Sequence, residues 1–215
     1  GECGLLRAGK KVEGKTRIGM MGLVNHLSDY NAMKDVFFRL KKKYGDKIVF
    51  ELFGLSKKDY DLVNKSDRVP SITKHNMAEL WDWGNDLGFV WHEQRKKDRF
   101  EFYEFMFSLG WDIALAPLSN TRADKSKSFL KWMDYSMAGI AGVYKGISPY
   151  TDVVNGENGL LANSPDEWVD AVSALIDHPE RRESIIKNSQ RQIEHDFNID
   201  KQYTLWEKMF NELLV

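Results

Sequence analysis

Short apolar runs alternate with amphipathic segments along most of this chain. Apolar runs of four to eight residues bounded by glycine, proline or polar turns are typical of buried strands. Apolar residues that recur every three or four positions, such as Met33, Val36, Phe37 and Leu40, are typical of helices packed against a sheet. The predicted strands are residues 17–23, 48–54, 87–92, 111–118 and 140–146, with a short return strand after the Asn155-Gly156 turn.

The predicted helices fill the gaps between these strands and the C-terminal part of the chain. Ser164-Pro165-Asp166-Glu167 has the form of a capping box with proline at the first helical position, which predicts a helix start. Residues 68–73 are expected to be extended. The predicted helices lie within residues 24–47, near 57–65 and 76–84, at about 100–109 and 127–138, in a short turn or helix at 150–154, after the capping box, from Pro179 to about His195, and after Asn198.

This alternation predicts an α/β fold with a Rossmann-like, doubly wound, mainly parallel sheet and a C-terminal helical tail. We expect one domain over residues 16–215, preceded by a tail or linker at residues 1–15. The chain starts with glycine instead of methionine, and we expect it to be part of a larger protein.

Composition excludes several classes of protein. The 215 residues carry 31 Lys and Arg against 32 Asp and Glu, a net charge of −1, which argues against a general nucleic-acid binder. No apolar run approaches the roughly 18–20 residues of a membrane helix, so no transmembrane segment is expected. The single cysteine, Cys3, rules out an intrachain disulfide and favours a reducing compartment, the cytoplasm.

Ligands of doubly wound folds bind at the carboxyl ends of the strands, so the loops after each strand are candidate sites. The first loop contains Gly22, His26 and Asp29 but no GxGxxG, which argues against an NAD or FAD enzyme. Asp29 is either a helix N-cap or a partner of His26. His26 is either a solvated loop residue or a group that faces the sugar end of a bound donor.

A second candidate is the helix predicted at 127–138. Lys127, Lys131 and Asp134 fall on one face of that helix at spacings of four and three residues, and Leu130, Met133 and Met137 are expected to face the sheet. The positive helix start with Ser128 and two lysines suits a diphosphate, and a carboxylate suits the two hydroxyls of a ribose. The alternative is a solvated helix face with an ordinary Lys131–Asp134 pair.

A third candidate is the loop from Lys145 to Tyr150, whose alternative is a plain surface turn. The five histidines show no spacing typical of metal ligands, so no metal site is expected, and neither a P-loop nor a GxSxG motif is present.

The motifs after residue 116 resemble those of the C-terminal, donor-binding domain of GT-B glycosyltransferases of family 4 or close relatives. A Gly-x-x-x-His-x-x-Asp pattern in the first loop, Gly22 to Asp29, is also similar, and the resemblance covers about residues 16–212. The family's acidic residue is Asp134 here, one methylene shorter than glutamate, and Ser126 stands at the position of a second acid. The residues that carry the resemblance are Pro117-Leu118, Lys127-Ser128-x-x-Lys131-x-x-Asp134-Tyr135, Gly139, Pro149-Tyr150, Gly156, Gly159 and Leu161.

The resemblance implies a function and a set of roles. It implies transfer of a sugar from a nucleotide-diphosphate sugar, with retention of configuration and without a metal or other cofactor, in polysaccharide, glycolipid or glycoprotein glycan synthesis. Gly22 would belong to the nucleotide-sugar site and Tyr150 would lie near the donor. Lys127, Ser128 and Lys131 would hold the diphosphate, Asp134 the ribose, and His26 would contact the donor sugar.

The resemblance also implies a missing partner. A GT-B enzyme has two such domains, so the acceptor-binding N-terminal domain would precede this chain, and the final helix could cross back to it. The rest of the protein could attach the enzyme peripherally to a membrane. The alternatives are a non-catalytic nucleotide-binding or interaction module with the same fold, and a GT-B-fold nucleotide-sugar epimerase.

Overall fold

The computed structural model describes residues 14–93 and 98–213. Within them lies one six-stranded parallel sheet with strand order β3-β2-β1-β4-β5-β6. This order is typical of a doubly wound Rossmann-like fold, so the predicted fold class is confirmed. The strands are β1 Thr16–Met21, β2 Ile48–Phe53, β3 Val90–His92, β4 Ile113–Ala116, β5 Ala141–Lys145 and β6 Leu160–Ala162.

Helices cover both faces of the sheet, and each face has its own apolar core. One core includes Phe37, Phe50 and Leu80, and the other includes Phe53, Trp111 and Tyr135. No helix in the described part of the chain is both long enough and apolar enough to span a membrane. The α-helices are α1 Leu27–Asn31, α2 Lys34–Tyr44, α3 Lys57–Lys65, α4 Ser71–Asp86, α5 Arg99–Ser108, α6 Arg122–Lys125, α7 Leu130–Met137, α8 Pro165–Asp177, α9 Pro179–Asp196 and α10 Ile199–Leu213.

Several predicted boundaries are wrong, and polar contacts or turns explain them. The helix within residues 24–47 is divided into a 3-10 turn at Val24–His26, α1 and α2. Residues 71–73, predicted to be extended, begin α4, because the Pro70 carbonyl accepts hydrogen bonds from the backbone N–H groups of Thr73 and Lys74. The strand predicted at 87–92 is limited to β3, because residues 87 and 88 turn at the end of α4.

The helix predicted at 127–138 begins later, at Leu130, and a helical turn that was not predicted, α6, precedes it. Both differences affect the candidate site. Thr121 and Asp124 form a reciprocal capping box that starts α6, so a separate helical turn precedes α7. Lys127 and Ser128 therefore lie in the connection between α6 and α7. The prediction that Leu130 faces the sheet is wrong, since 51% of its surface is exposed.

The C-terminal helices begin where the sequence predicts. Ser164 Oγ accepts a hydrogen bond from the backbone N–H of Glu167, and Pro165 is the first residue of α8. The Glu167 carboxylate accepts from the backbone N–H of Asn163 at 2.8 Å, one residue before the N-cap. The short return strand is β6, and it pairs in parallel with β5.

Candidate functional site

The candidate site lies where the connections from two central strands leave the sheet in opposite directions. β1 and β4 are neighbours at the centre of the strand order, and the chain continues from β1 to β2 on one side and from β4 to β5 on the other. The carboxyl ends of such a pair form the topological switch point, where α/β folds bind ligands. The loop after β1 carries His26, and the loop after β4 carries Ser119.

Gly22 directly follows β1 and makes room for two side chains of its own loop. Its N–H donates to the carbonyl of Phe53 at 2.9 Å, which holds the ends of β1 and β2 together. A Cβ at this position would overlap the Tyr30 hydroxyl and the His26 ring. Glycine is therefore required here so that the loop can fold back over its own strand.

Asp29 joins the two loops at the switch point. Its Oδ2 lies 2.8 Å from His26 Nδ1, and its Oδ1 accepts from the backbone N–H of Ser119 at 2.7 Å and from Ser119 Oγ at 2.5 Å. Burial alone would raise the pKa of Asp29, but the hydrogen bonds from His26 and Ser119 outweigh it, and the pKa lies below its usual value. Asp29 is not a helix N-cap: it lies in the first turn of α1 and caps nothing.

Lys131 forms part of the wall of a cleft above the ends of β1 and β2. Burial lowers the pKa of Lys131 to about 8; nearby Lys127 also lowers it, while Asp29 and Asp134 act in the opposite direction. Within the described part of the chain, Lys131 forms no ion pair. The cleft has a volume of about 160 Å³ and is lined by Met21, Gly22, Leu23, Phe53, Gly54, Phe102 and Lys131.

Lys127 and Ser128 lie just before α7. The Lys127 ammonium pairs with Asp124 at 2.9 Å, and Ser128 is exposed. The first turn of α7 has no side-chain cap. The structure therefore separates two lysines that the helical pattern places together: Lys127 has a carboxylate partner, and Lys131 lines the cleft.

Asp134 and Tyr150 lie deeper than Lys131. Asp134 is 8% exposed and Tyr150 is 2% exposed. Burial raises the pKa of Tyr150, and the charges of Asp29 and Asp134 raise it further. Because Asp29 and Asp134 both act on Lys131 and on Tyr150, these four side chains belong to one cluster. The structure thus brings Gly22, His26, Lys131, Asp134 and Tyr150 to one region.

Three residues of this region escaped the sequence analysis. Ser119 holds Asp29, the buried Tyr30 packs under Gly22, and Phe102 lines the cleft. Ser119 follows Pro117-Leu118 just after β4, so a survey of polar residues behind each strand would have found it. Tyr30 and Phe102 lie in segments with ordinary helical patterns, and no local signal separates them from core residues.

No family model and no curated protein sequence matches this chain. Solved structures do match. The C-terminal domain of a glycosyl transferase group 1 family protein (LpcC) from Francisella tularensis has a TM-score of 0.63 at 16% identity, covering 91% of this chain and 97% of that one. TarM from S. aureus, solved with Fondaparinux, alpha-GlcNAc-glycerol and UDP, has a TM-score of 0.66 at 12% identity, covering 95% of this chain and 37% of TarM.

A third match is HepE from Anabaena in complex with UDP and glucose, with a TM-score of 0.65 at 13% identity, covering 92% of this chain and 48% of HepE. The chain thus spans less than half the length of TarM and of HepE, but nearly the whole of the LpcC domain. Identities this low establish the fold alone. The chain has the Rossmann-like fold of the C-terminal domain of GT-B glycosyltransferases, as its motifs predict.

Proposed function

We propose that this chain is the donor-binding half of a glycosyltransferase and binds a nucleotide-diphosphate sugar. The observation that carries the proposal is Lys131, a desolvated ammonium without an ion-pair partner in the described chain, in the wall of a cleft above the carboxyl ends of β1 and β2. A buried cation without a close carboxylate is costly to the fold, and an anionic ligand would compensate it. Two structures with the same fold contain UDP, whose diphosphate is an anion of this kind.

The proposed roles follow the positions of the side chains. Lys131 holds the diphosphate, assisted by Lys127 and Ser128 from the connection before α7. Asp134, one helical turn further along α7, accepts hydrogen bonds from the ribose hydroxyls, with Tyr150 beside it. His26 contacts the donor sugar, and Gly22 lets the β1 loop fold tightly enough to place it.

The proposed reaction breaks the bond between the anomeric carbon and the diphosphate oxygen and forms a bond between the anomeric carbon and a hydroxyl oxygen of the acceptor. The departing diphosphate takes up the proton of that hydroxyl. Its transition state is oxocarbenium-like at the sugar, and negative charge grows on the departing diphosphate. The ammonium of Lys131 lies in the cleft wall before the ligand arrives, and it would stabilise that charge. We propose transfer with retention of configuration and without a metal, in which the chain's own cations stabilise the leaving group.

We also propose that an acceptor-binding domain completes the enzyme. The support is twofold: the chain spans less than half of TarM and of HepE, and α10 exposes an apolar face that such a domain would cover. The single cysteine favours the cytoplasm as the compartment. The exposed apolar residues of α10 are Ile199, Tyr203, Leu205, Trp206, Met209, Phe210 and Leu213, each 47–77% exposed.

Calorimetric titration of the 215-residue chain with UDP, GDP and the two nucleosides tests donor binding. One diphosphate should bind more tightly than its nucleoside. Lys131→Ala should weaken that diphosphate by about 1.5–3 kcal/mol, the scale of charge-assisted hydrogen bonds, and leave the nucleoside unchanged. Asp134→Asn should weaken both ligands, because both contain the ribose.

The control is Lys125→Ala, which removes an exposed lysine of α6 with the same charge. It should bind both ligands like the parent chain. If Lys131→Ala also binds the diphosphate like the parent, the cleft is not the diphosphate site and the proposal is wrong.

A further inference from the structure

The Asp29 carboxylate is almost fully buried and uses both of its oxygens. Only 4% of its surface is exposed. Oδ1 serves Ser119 in the loop after β4, and Oδ2 serves His26 in the loop after β1. One acidic side chain therefore fixes a histidine ring relative to the opposite side of the switch point.

The chemistry of this contact determines which ring nitrogen of His26 carries the proton. An ionised carboxylate only accepts hydrogen bonds, and the pKa of Asp29 lies below its usual value. The hydrogen between the two groups must therefore come from Nδ1 of His26. In the neutral ring, Nε2 is then left with a free lone pair.

The ring is also held in a fixed orientation. The His26 ring lies 6.1 Å from the Tyr30 ring, centroid to centroid, and its Cδ2 edge lies against Gly22, where a Cβ would overlap it. Nε2 is bonded to Cδ2, and it forms no hydrogen bond to another residue of the described chain. Gly22 is part of the cleft wall. The Cδ2 edge of the His26 ring, next to Nε2, therefore adjoins a residue of the cleft wall.

We propose that Asp29, braced by Ser119, is a positioning residue that holds His26 in the Nδ1–H tautomer, so that Nε2 accepts a hydrogen bond from a hydroxyl of the donor sugar. This inference rests on the proposed function of the cleft. It adds to that function a residue that contacts no ligand and acts through His26.

A residue with a purely structural role would form the same hydrogen bonds. The test must therefore determine which ring nitrogen of His26 carries the proton. In Asp29→Asn, one amide oxygen remains for Ser119, and the amide N–H₂ group faces Nδ1. An N–H group requires an acceptor, so the neutral His26 ring should adopt the other tautomer, with its proton on Nε2. The shape of the side chain is kept while the polarity of the ring is reversed.

The first measurement is the ¹⁵N spectrum of the imidazole rings in labelled chain at pH 8, where protonated and lone-pair nitrogens are well separated. The parent chain should show His26 with its proton on Nδ1, and Asp29→Asn should show it on Nε2. A parent chain with the proton on Nε2 overturns the proposal. This result needs no variant, so it decides even if Asp29→Asn does not fold.

The second measurement compares UDP with UDP-glucose, and GDP with GDP-mannose, by calorimetry. Asp29→Asn and His26→Ala should each reduce the affinity for the nucleotide sugar about tenfold more than the affinity for the matching diphosphate. A tenfold difference is the scale of one lost hydrogen bond. The double variant should lose no more than His26→Ala. The control is Asp82→Asn, an exposed carboxylate of α4, which should change neither ligand.

The outcomes separate the two proposals. If neither diphosphate binds the parent chain, donor binding is wrong and this inference fails with it. If a diphosphate binds but Asp29→Asn weakens the nucleotide sugar no more than the diphosphate, donor binding stands and the positioning role is wrong.

Discussion

Two charged side chains, Glu51 and Lys131, lie against the same apolar layer of this domain. Glu51 has several hydrogen-bond partners, whereas Lys131 has no ion-pair partner within the described chain. The Glu51 carboxylate, 2% exposed, accepts from Arg17 Nε at 2.5 Å and Nη2 at 2.9 Å, lies 2.7 Å from His92 Nε2, and accepts from Trp111 Nε1 at 3.2 Å. Lys131, in the cleft wall beside Phe53, forms no ion pair within the described chain.

Both pKa values record this difference in partners. Burial alone would raise the pKa of Glu51, but hydrogen bonds from His92 and Arg17 outweigh it and lower the pKa to about 2. Burial lowers the pKa of Lys131 to about 8, and the more distant Asp29 and Asp134 compensate it only in part. A satisfied buried charge is part of the fold, whereas a poorly compensated one in a cleft makes that cleft a candidate ligand site.

The largest expected effect is the loss of the satisfied charge. Glu51→Gln leaves Arg17 without its carboxylate inside the protein, and breaking a buried pair in this way costs about 3–5 kcal/mol of unfolding free energy. Urea unfolding followed by circular dichroism measures it. The control is Glu79→Gln, which breaks a half-exposed contact with Lys34 and should cost less than about 1 kcal/mol. Equal losses in the two variants would remove the distinction between the clusters.

The stability that the Glu51 carboxylate contributes should be lost in acid. The pKa of Glu51 lies near 2 in the fold and at 4.5 ordinarily, so its stabilisation is complete above pH 4.5 and disappears as the pH falls towards 2. The parent chain should therefore lose about 3 kcal/mol of its advantage over Glu51→Gln across this window. Urea titrations of both chains at pH 5 and pH 2.5 measure the difference. A constant difference would mean that another group carries the effect.

Removing the uncompensated charge should have the opposite sign. Lys131→Met keeps an apolar chain of similar length, so at pH 7 it should raise the unfolding free energy by about 1–3 kcal/mol while it weakens diphosphate binding as Lys131→Ala does. The pKa of Lys131 lies near 8 in the fold and at 10.5 ordinarily. The cost of burying the ammonium is therefore complete below pH 8 and disappears as the pH approaches 10.5.

Urea unfolding at several values between pH 7 and pH 10 tests this prediction. The stability advantage of Lys131→Met over the parent chain should shrink as the pH rises. Diphosphate affinity of the parent chain should fall over the same range, because the ligand needs the ammonium form. A variant less stable than the parent would show that Lys131 is a structural partner, like the residues around Glu51.

The sequence predicts the fold well because the relevant signals are local. Apolar runs, helical spacing and the Ser164 capping box each act over a few residues, and the parallel sheet follows from the alternation of strands and helices. Local signals fail where polar side chains redirect the backbone. The capping box of Thr121 and Asp124 starts α6 within a segment predicted to be a loop, and the Pro70 carbonyl starts α4 before the predicted position.

The charge clusters show why the site was only partly predictable. Arg17, His92 and Trp111 lie 34, 41 and 60 positions from Glu51, so Glu51 looks like an isolated charge within the second strand. Ser119 lies 90 positions from Asp29. Motifs and their resemblance to a family indicated Lys131 and His26, but only the packed chain shows which charges already have partners.

The smallest expected effect is that of Lys127→Ala on diphosphate binding, and it tests the comparison between partnered and unpartnered charges most directly. The helical pattern gives Lys127 and Lys131 the same role, but the structure pairs the 35%-exposed Lys127 with Asp124 at 2.9 Å. If a charge that is already paired within the chain contributes little to ligand binding, Lys127→Ala should weaken diphosphate binding by less than about 1 kcal/mol, the scale of an exposed ion pair. Lys131→Ala should weaken it by about 1.5–3 kcal/mol. Parallel calorimetric titrations measure both. Equal losses would mean that Lys127 leaves Asp124 to bind the ligand. An ion pair in the ligand-free chain would then not tell a structural charge from a ligand-binding one.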